Sequence, residues 1–181
     1  MTFRLAPAAV MAICIAFLAG VAEAQDRIPV DPTPLGVPLV TAVQIGDGYG
    51  NLDQPFDVKI TVLKVIRGQQ AWALIRDAGQ SNQPPKVGFE YLLARIRFEY
   101  RAKNGNYTAS MDSFLATSAD GKEYETPSVK LPEPAFGGRL YPEDALEGWL
   151  AFLVARGDRR PLMTFSQTGI QGPGRVWFKL H

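Results

Sequence analysis

Residues 90–101 read "EYLLARIRFEYR", and their two-residue rhythm decides the fold. Successive side chains of an extended strand point to opposite faces. Leu92, Ala94, Ile96, Phe98 and Tyr100 therefore share one side, and Arg95, Arg97, Glu99 and Arg101 the other. An apolar face backed by a charged one is the pattern of an antiparallel strand with one wet side. On this reading the arginines mark the solvated wall of a domain.

Working outward, "FDVKITVLKVI" at 56–66 repeats the rhythm: Phe56, Val58, Ile60 and Val62 oppose Asp57, Lys59 and Thr61. Beyond Val62 the apolar phase moves to Leu63 and Val65, which predicts a bulge or a strand end buried on both sides. Between the two strands, "GQQAWALIRDAG" at 68–79 places Ala71, Leu74 and Ile75 at i, i+3 and i+4 between glycines. That spacing predicts one short helical turn near residues 69–76. So short a helix needs a sheet edge or sandwich end to pack on, with Trp72 as a plug there.

Turn signals recur downstream. Asn104-Gly105 follows the arginine strand, and Asp120-Gly121 separates "SFLATSA" from "KEYETPSV". Both dipeptides tolerate positive φ and suit hairpins. "EGWLAFLVA" at 147–155 is nearly continuous in apolar residues, which predicts a central strand covered on both faces; "PLMTFS" and "RVWFKL" follow. The total is about eight short strands in an all-β, two-sheet antiparallel β-sandwich, since a parallel sheet would need long intervening helices.

The first residues stand apart. Arg4 precedes the apolar run "LAPAAVMAICIAFLAGVA", and Ala22-Glu23-Ala24 supplies small residues at the spacing that signal peptidase reads. The run is short for the roughly 20 residues of a membrane span. Residues 1–24 are thus read as a cleaved signal peptide, leaving a secreted or periplasmic chain without a membrane span. Residues 25–38, "QDRIPVDPTPLGVP", carry Pro29, Pro32, Pro34 and Pro38 and read as an extended leader, or in their last few residues as an edge strand. Residues 39–181 form one domain. The single cysteine, Cys14, lies in the segment to be removed, so apolar burial rather than disulfides must stabilise the fold. With 19 basic and 18 acidic residues, the charge balance argues against nucleic acid as a partner.

The order Arg67-Gly68, Ala71-Trp72, Asn82, Pro84-Pro85, Gly88 and Glu90-Tyr91-Leu92-Leu93 resembles a family of exported bacterial proteins described as telokin-like. Asp120-Gly121, the "EGW" at 147–149 and Phe152 also fit it. The resemblance spans residues 54–180 and implies an immunoglobulin-like β-sandwich outside the cytoplasm. The family offers no catalytic residues to carry over, and this chain lacks the lipobox cysteine that would tether it.

Little catalytic chemistry is available. The single histidine, His181, is the last residue, where nothing after it can hold an imidazole for a nucleophilic triad. Zinc sites built on Cys or several His are excluded, and "GGR" at 137–139 and "GPGR" at 172–175 read as turns, not phosphate loops. Glu143, Asp144 and Glu147 cluster in "YPEDALEGW", yet acids in a loop before a strand are ordinarily solvated. Asp47, Asn51 and Asp53 in "DGYGNLD" offer oxygen ligands without the spacing of a calcium loop. "RGD" at 156–158 reads as a turn between strands, and Asn106-Tyr107-Thr108 satisfies a glycosylation sequon. The expectation is no catalytic, cofactor or metal residue.

What remains is surface. Trp177 shares a face of the last strand with Lys179, opposite Val176, Phe178 and Leu180. If those three are core, Trp177 is the leading exposed aromatic, with Tyr107 and Tyr141 as companions. The sequence thus points to a non-enzymatic exported module with an unknown protein or envelope partner. The alternative is a small-ligand or carbohydrate-binding module using exposed aromatics.

Overall fold

The computed structural model describes residues 31–45, 55–167 and 174–181. The signal segment and the Asp47–Asp53 loop fall outside them. Nine strands are described: β1 (Leu39–Val43), β2 (Phe56–Arg67), β3 (Phe89–Arg101), β4 (Tyr107–Ala109), β5 (Phe114–Thr117), β6 (Gly138–Leu140), β7 (Ala145–Ala155), β8 (Leu162–Ser166) and β9 (Arg175–Lys179). One α-helix, α1 (Gln69–Ala78), joins β2 to β3 and is ten residues long, more than the single turn expected over 69–76. The strands make a four-stranded sheet in the order β1-β2-β3-β7, a three-stranded sheet β5-β8-β9, and a ribbon β4-β6, all antiparallel. This is the two-sheet sandwich the rhythm predicts, with the three-residue strands β4 and β6 taking the count above eight.

The core is what alternation requires. Val58, Ile60, Val62, Leu92, Ala94, Ile96, Phe98 and Tyr100 from the large sheet face Phe114, Ala116, Met163, Phe165 and Phe178 from the small one, with Leu180 just beyond β9. Burying a side chain such as Phe or Ile contributes about 1.5–3 kcal/mol each, so this interior stabilises the fold without disulfides. The Phe98 ring lies 5.7 Å from Tyr107, 5.9 Å from Phe136 and 5.8 Å from Phe165. The ribbon β4-β6 adds Tyr107, Ala109 and Leu140 to the same interior.

The break in rhythm after Val62 is a bulge. The register of β2 against β3 shifts between Val62 and Lys64, leaving Leu63 as the extra residue. Beyond it Val65 opposes Ala94 on the core side and Ile66 opposes Leu93 on the outside. That outward half of the sheet is roofed by α1. Ala71 and Ile75 pack on Tyr91, Leu93, Trp149, Ala151 and Leu153. Leu74, expected on the same helical face, is 38% exposed.

β7 is covered on both faces, as its apolar run predicts, yet it is an edge strand and not a central one. The segment 134–136 closes part of that edge: Trp149 N donates to Pro134 O at 2.9 Å, and Phe136 N donates to Trp149 O at 3.1 Å. Unpaired edges invite foreign strands, and the others are managed as well. Thr33 N donates to Trp177 O (2.9 Å), Lys179 N to Thr33 O (2.8 Å), and Gly36 N to Val62 O (2.8 Å). Residues 33–36 therefore run from β9 across to β2, so the end of the proline-rich stretch is fastened to both sheets. On β1 the Gln167 side-chain amide donates to Thr41 Oγ1 and to Ala42 O.

Of the two glycine turns, Asp120-Gly121 closes a hairpin in which Thr117 pairs with Glu123, with Gly121 at φ 87°. Asn104-Gly105, with φ 85° at the glycine, lies between β3 and β4, which pair with different partners; it carries the chain between sheets and is not a hairpin.

Candidate functional site

The outer face of the four-stranded sheet has two halves. One is the apolar half under α1; the other is the arginine wall. On the wall Glu99 binds Lys59 (2.9 Å), Arg97 (3.2 Å) and Arg101 (3.4 Å), and Glu147 binds Arg95 (3.1 Å) and Arg97 (3.2 Å). The ladder thus crosses β2, β3 and β7. The Lys59 ammonium, with Arg97 and Arg101, holds the Glu99 carboxyl below its usual range, and the Glu99 and Glu147 carboxylates raise Arg97. The arginine side chains remain 39–45% exposed, and pairs this wet contribute little to stability.

Charge on this wall is uneven. Lys59, Lys64, Arg95, Arg97 and Arg101 face Asp57, Glu99 and Glu147, five cations against three carboxylates in a chain whose overall charge is +1. Lys64 stands directly opposite Arg95. A cross-strand pair of like charges is destabilising, so fold stability alone does not account for it.

Beside α1 lies a cleft of about 480 Å³ lined by Gly68, Gln69, Trp72, Pro84, Pro85, Glu90 and Arg156. Its parts are fixed from several directions. Gly68, at φ 68°, turns β2 sharply into α1, and a β-carbon there would lie 3.1 Å from Glu90 Oε2, so glycine leaves room for that carboxylate. Arg67 Nε donates to Glu90 Oε1, and Arg67 Nη2 donates to Ala155 O at 3.2 Å. Trp72 stacks on Tyr91 (5.8 Å between centroids, 21° between planes), and the Tyr91 hydroxyl donates to Gln83 O at 3.0 Å. Asn82 is buried, and its amide zips the segment in place: Nδ2 donates to Ile75 O (2.6 Å) and Lys130 O (2.8 Å), while Oδ1 accepts from Lys130 N (2.8 Å).

The aromatics singled out in the sequence are placed differently. Trp177 is 6% exposed and Tyr107 7%, whereas Tyr141 is 55% exposed. Tyr107 is turned inward against Phe56 and Phe98. Trp177 does lie opposite the core residues Phe178 and Leu180, but its own side of the small sheet is closed as well. Leu115, Thr117, Leu162, Thr164 and Ser166 are all buried there. The three residues do not form a common surface of exposed rings.

The other sequence signals have local duties. Asp158 of the "RGD" turn accepts from the Tyr124 hydroxyl (2.8 Å) and from Arg160 N (2.9 Å). Burial, followed by this carboxylate, pushes the Tyr124 hydroxyl up to about 12. Among the acids, Asp144 accepts from Tyr141 N (2.8 Å), Glu147 belongs to the ladder, and Glu143 occupies a turn at φ 67°. Among the described residues no group of three or more His, Cys, Asp or Glu is placed to hold a metal ion, and no helix is long and apolar enough to cross a membrane. His181 and Asn106 are exposed.

No family model matches the chain, and no curated protein matches it. Solved structures do. The chain is similar to the yjhA protein from Bacillus subtilis with a TM-score of 0.52 at 10% identity, over 82% of this chain and 99% of that one. MPT63, a secreted protein from Mycobacterium tuberculosis, aligns with a TM-score of 0.49 at 14% identity, over 83% of this chain and 99% of that one. The ycdA protein of Bacillus subtilis has the same TM-score and identity over 67% of this chain. This chain spans only 35% of its length. At such identity the likeness to yjhA establishes the fold and nothing further.

The sequence reading takes Trp72 as a plug for the sandwich end rather than a ligand platform, Gln69 as part of a helical turn and Arg156 as part of a turn, and names Pro84, Pro85 and Glu90 only as carriers of a resemblance. Of the residues that carry the resemblance, Gly68, Trp72, Pro84, Pro85 and Glu90 line this cleft, and Arg67, Asn82 and Tyr91 make the contacts that shape it.

Proposed function

We propose that this chain is an exported, non-catalytic β-sandwich module, of the telokin-like kind, that meets a protein or envelope partner through its arginine wall. The observation that carries the reading is the surplus of part-exposed cations on the outer sheet face, including the like pair Lys64 and Arg95. Guanidinium groups have more donors than two carboxylates can occupy, and their planar forks match carboxylate or phosphate groups on a partner. Electrostatic complementarity of this sort sets on-rate and specificity. The signal-like residues 1–24 support export, and the separate engagement of Asp144 and Glu147 supports a role without catalysis.

Immobilised protein is expected to retain a discrete partner from solubilised envelope extract at about 50 mM salt, and to lose at least ~90% of it at about 0.5 M, where exposed charges are screened. The double variant Arg97→Glu/Arg101→Glu should abolish retention while keeping a cooperative melt. Retention unaffected by salt and by that variant would remove the wall from the account. Turnover of a substrate by the purified protein would remove the non-catalytic reading.

A further inference from the structure

We propose that the cleft beside α1 is a carbohydrate site, which takes one hexopyranose ring against the Trp72 indole. The inference goes beyond the partner-binding wall and rests on different residues. A volume of about 480 Å³ falls in the range of small-ligand sites, roughly 300–1,000 Å³. The lining pairs a half-buried indole and two proline rings with an amide, a carboxylate and a guanidinium, from Gln69, Glu90 and Arg156.

This mixture selects among ligand classes. A simple anion would meet the Glu90 carboxylate, and a simple amine would meet Arg156 with Arg67 behind it. Hydroxyl groups both donate and accept, so a polyol satisfies the carboxylate and the guanidinium together. The apolar C–H face of a pyranose suits the face of an indole, and Trp72 is already stacked on Tyr91 and packed against the apolar cluster under α1, which holds the ring still. Preorganisation is evident in the charged group too. Glu90 Oε1 is occupied by Arg67, and Oε2 lies beside Gly68, where the missing side chain opens the space. A ligand arriving here meets groups already oriented, which limits the entropic cost of binding.

The test is calorimetric titration of the whole mature chain with maltotetraose, cellotetraose and tetra-N-acetylchitotetraose, paired with two-dimensional NMR of the three indole N–H groups. At least one of these sugars is expected to bind and to move the Trp72 resonance, leaving those of buried Trp149 and Trp177 in place. Glu90→Gln and Trp72→Ala should each weaken that binding at least tenfold, and Tyr141→Ala should not. Should Trp72→Ala fail to fold, Gln69→Ala at an exposed helical position serves instead, with a loss of at least about threefold. The inference is overturned if none of the three sugars produces heat or shifts at about 10 mM, where even a millimolar ligand would register. It is equally overturned if binding occurs but moves a different indole or survives both Glu90→Gln and the Trp72 or Gln69 change. Arg97→Glu/Arg101→Glu should leave sugar binding intact, so that failure of this site and failure of the wall remain distinguishable.

Discussion

Phe98→Ala is expected to lower the unfolding free energy by about 3–5 kcal/mol, the cost of a cavity left by a phenyl ring in a packed interior. Phe98 is fully buried and is the ring on which Tyr107, Phe136 and Phe165 converge. Its loss therefore removes contacts to the ribbon, the 134–136 segment and the small sheet at once. Collapse of the surroundings would close the void only by moving two sheets that are each held by their own ladders, so little of the cost is recovered. Urea unfolding followed by tryptophan fluorescence measures the change. The adjacent Arg97→Ala, on the wet face, should leave the midpoint nearly unchanged. A mild effect at 98 together with a severe one at 97 would mean that the two faces have been exchanged.

Gly148→Ala is the second large effect, at about 2–4 kcal/mol, and it arises from crowding. A β-carbon on residue 148 would sit 2.5 Å from Phe136 Cα, 2.6 Å from Phe136 N and 2.8 Å from Ala135 C. These are backbone atoms, so no side-chain rotation relieves the clash. The segment 134–136 would have to leave the edge of β7, breaking its two hydrogen bonds with Trp149 and lifting Phe136 out of the core. At roughly 2–4 °C per kcal/mol for a domain of this size, the melting temperature should fall by about 5–15 °C. Calorimetry on the variant decides it. An unchanged melt would show that the close approach of this segment is not needed.

These two sites also show what a sequence can and cannot disclose. The interior face of β2 and β3 is legible because the opposite face is wet, and alternation records that contrast. Where both faces are buried the record is lost. In β8 all five residues are buried, and Trp177 on β9 is covered although it lies opposite the core, so period alone misplaces it as exposed. β7 illustrates a related loss: covered faces read as a central strand, but position within the sheet depends on in-plane hydrogen bonds that hydrophobicity does not encode. Gly148 is visible as a letter, while its reason, the backbone of residues 135–136 lying against it, comes from a segment twelve residues away along the chain. The cleft is the extreme case. Its walls come from the end of β2, the start of α1, the Pro84-Pro85 segment, β3 and the turn after β7, and no local pattern announces that convergence.

The central claim is that β3 sorts its side chains by parity, apolar residues inward and guanidinium groups outward. Single cysteines at positions 95, 96, 97 and 98, in a chain whose one natural cysteine is Cys14, permit a direct reading by the rate of thiol labelling under native conditions. Cysteines at 95 and 97 should react rapidly. Those at 96 and 98 should react only through transient unfolding, slower by at least ~100-fold. Equal rates at all four positions, or fast labelling at 96 and 98 with protection at 95 and 97, would contradict the account.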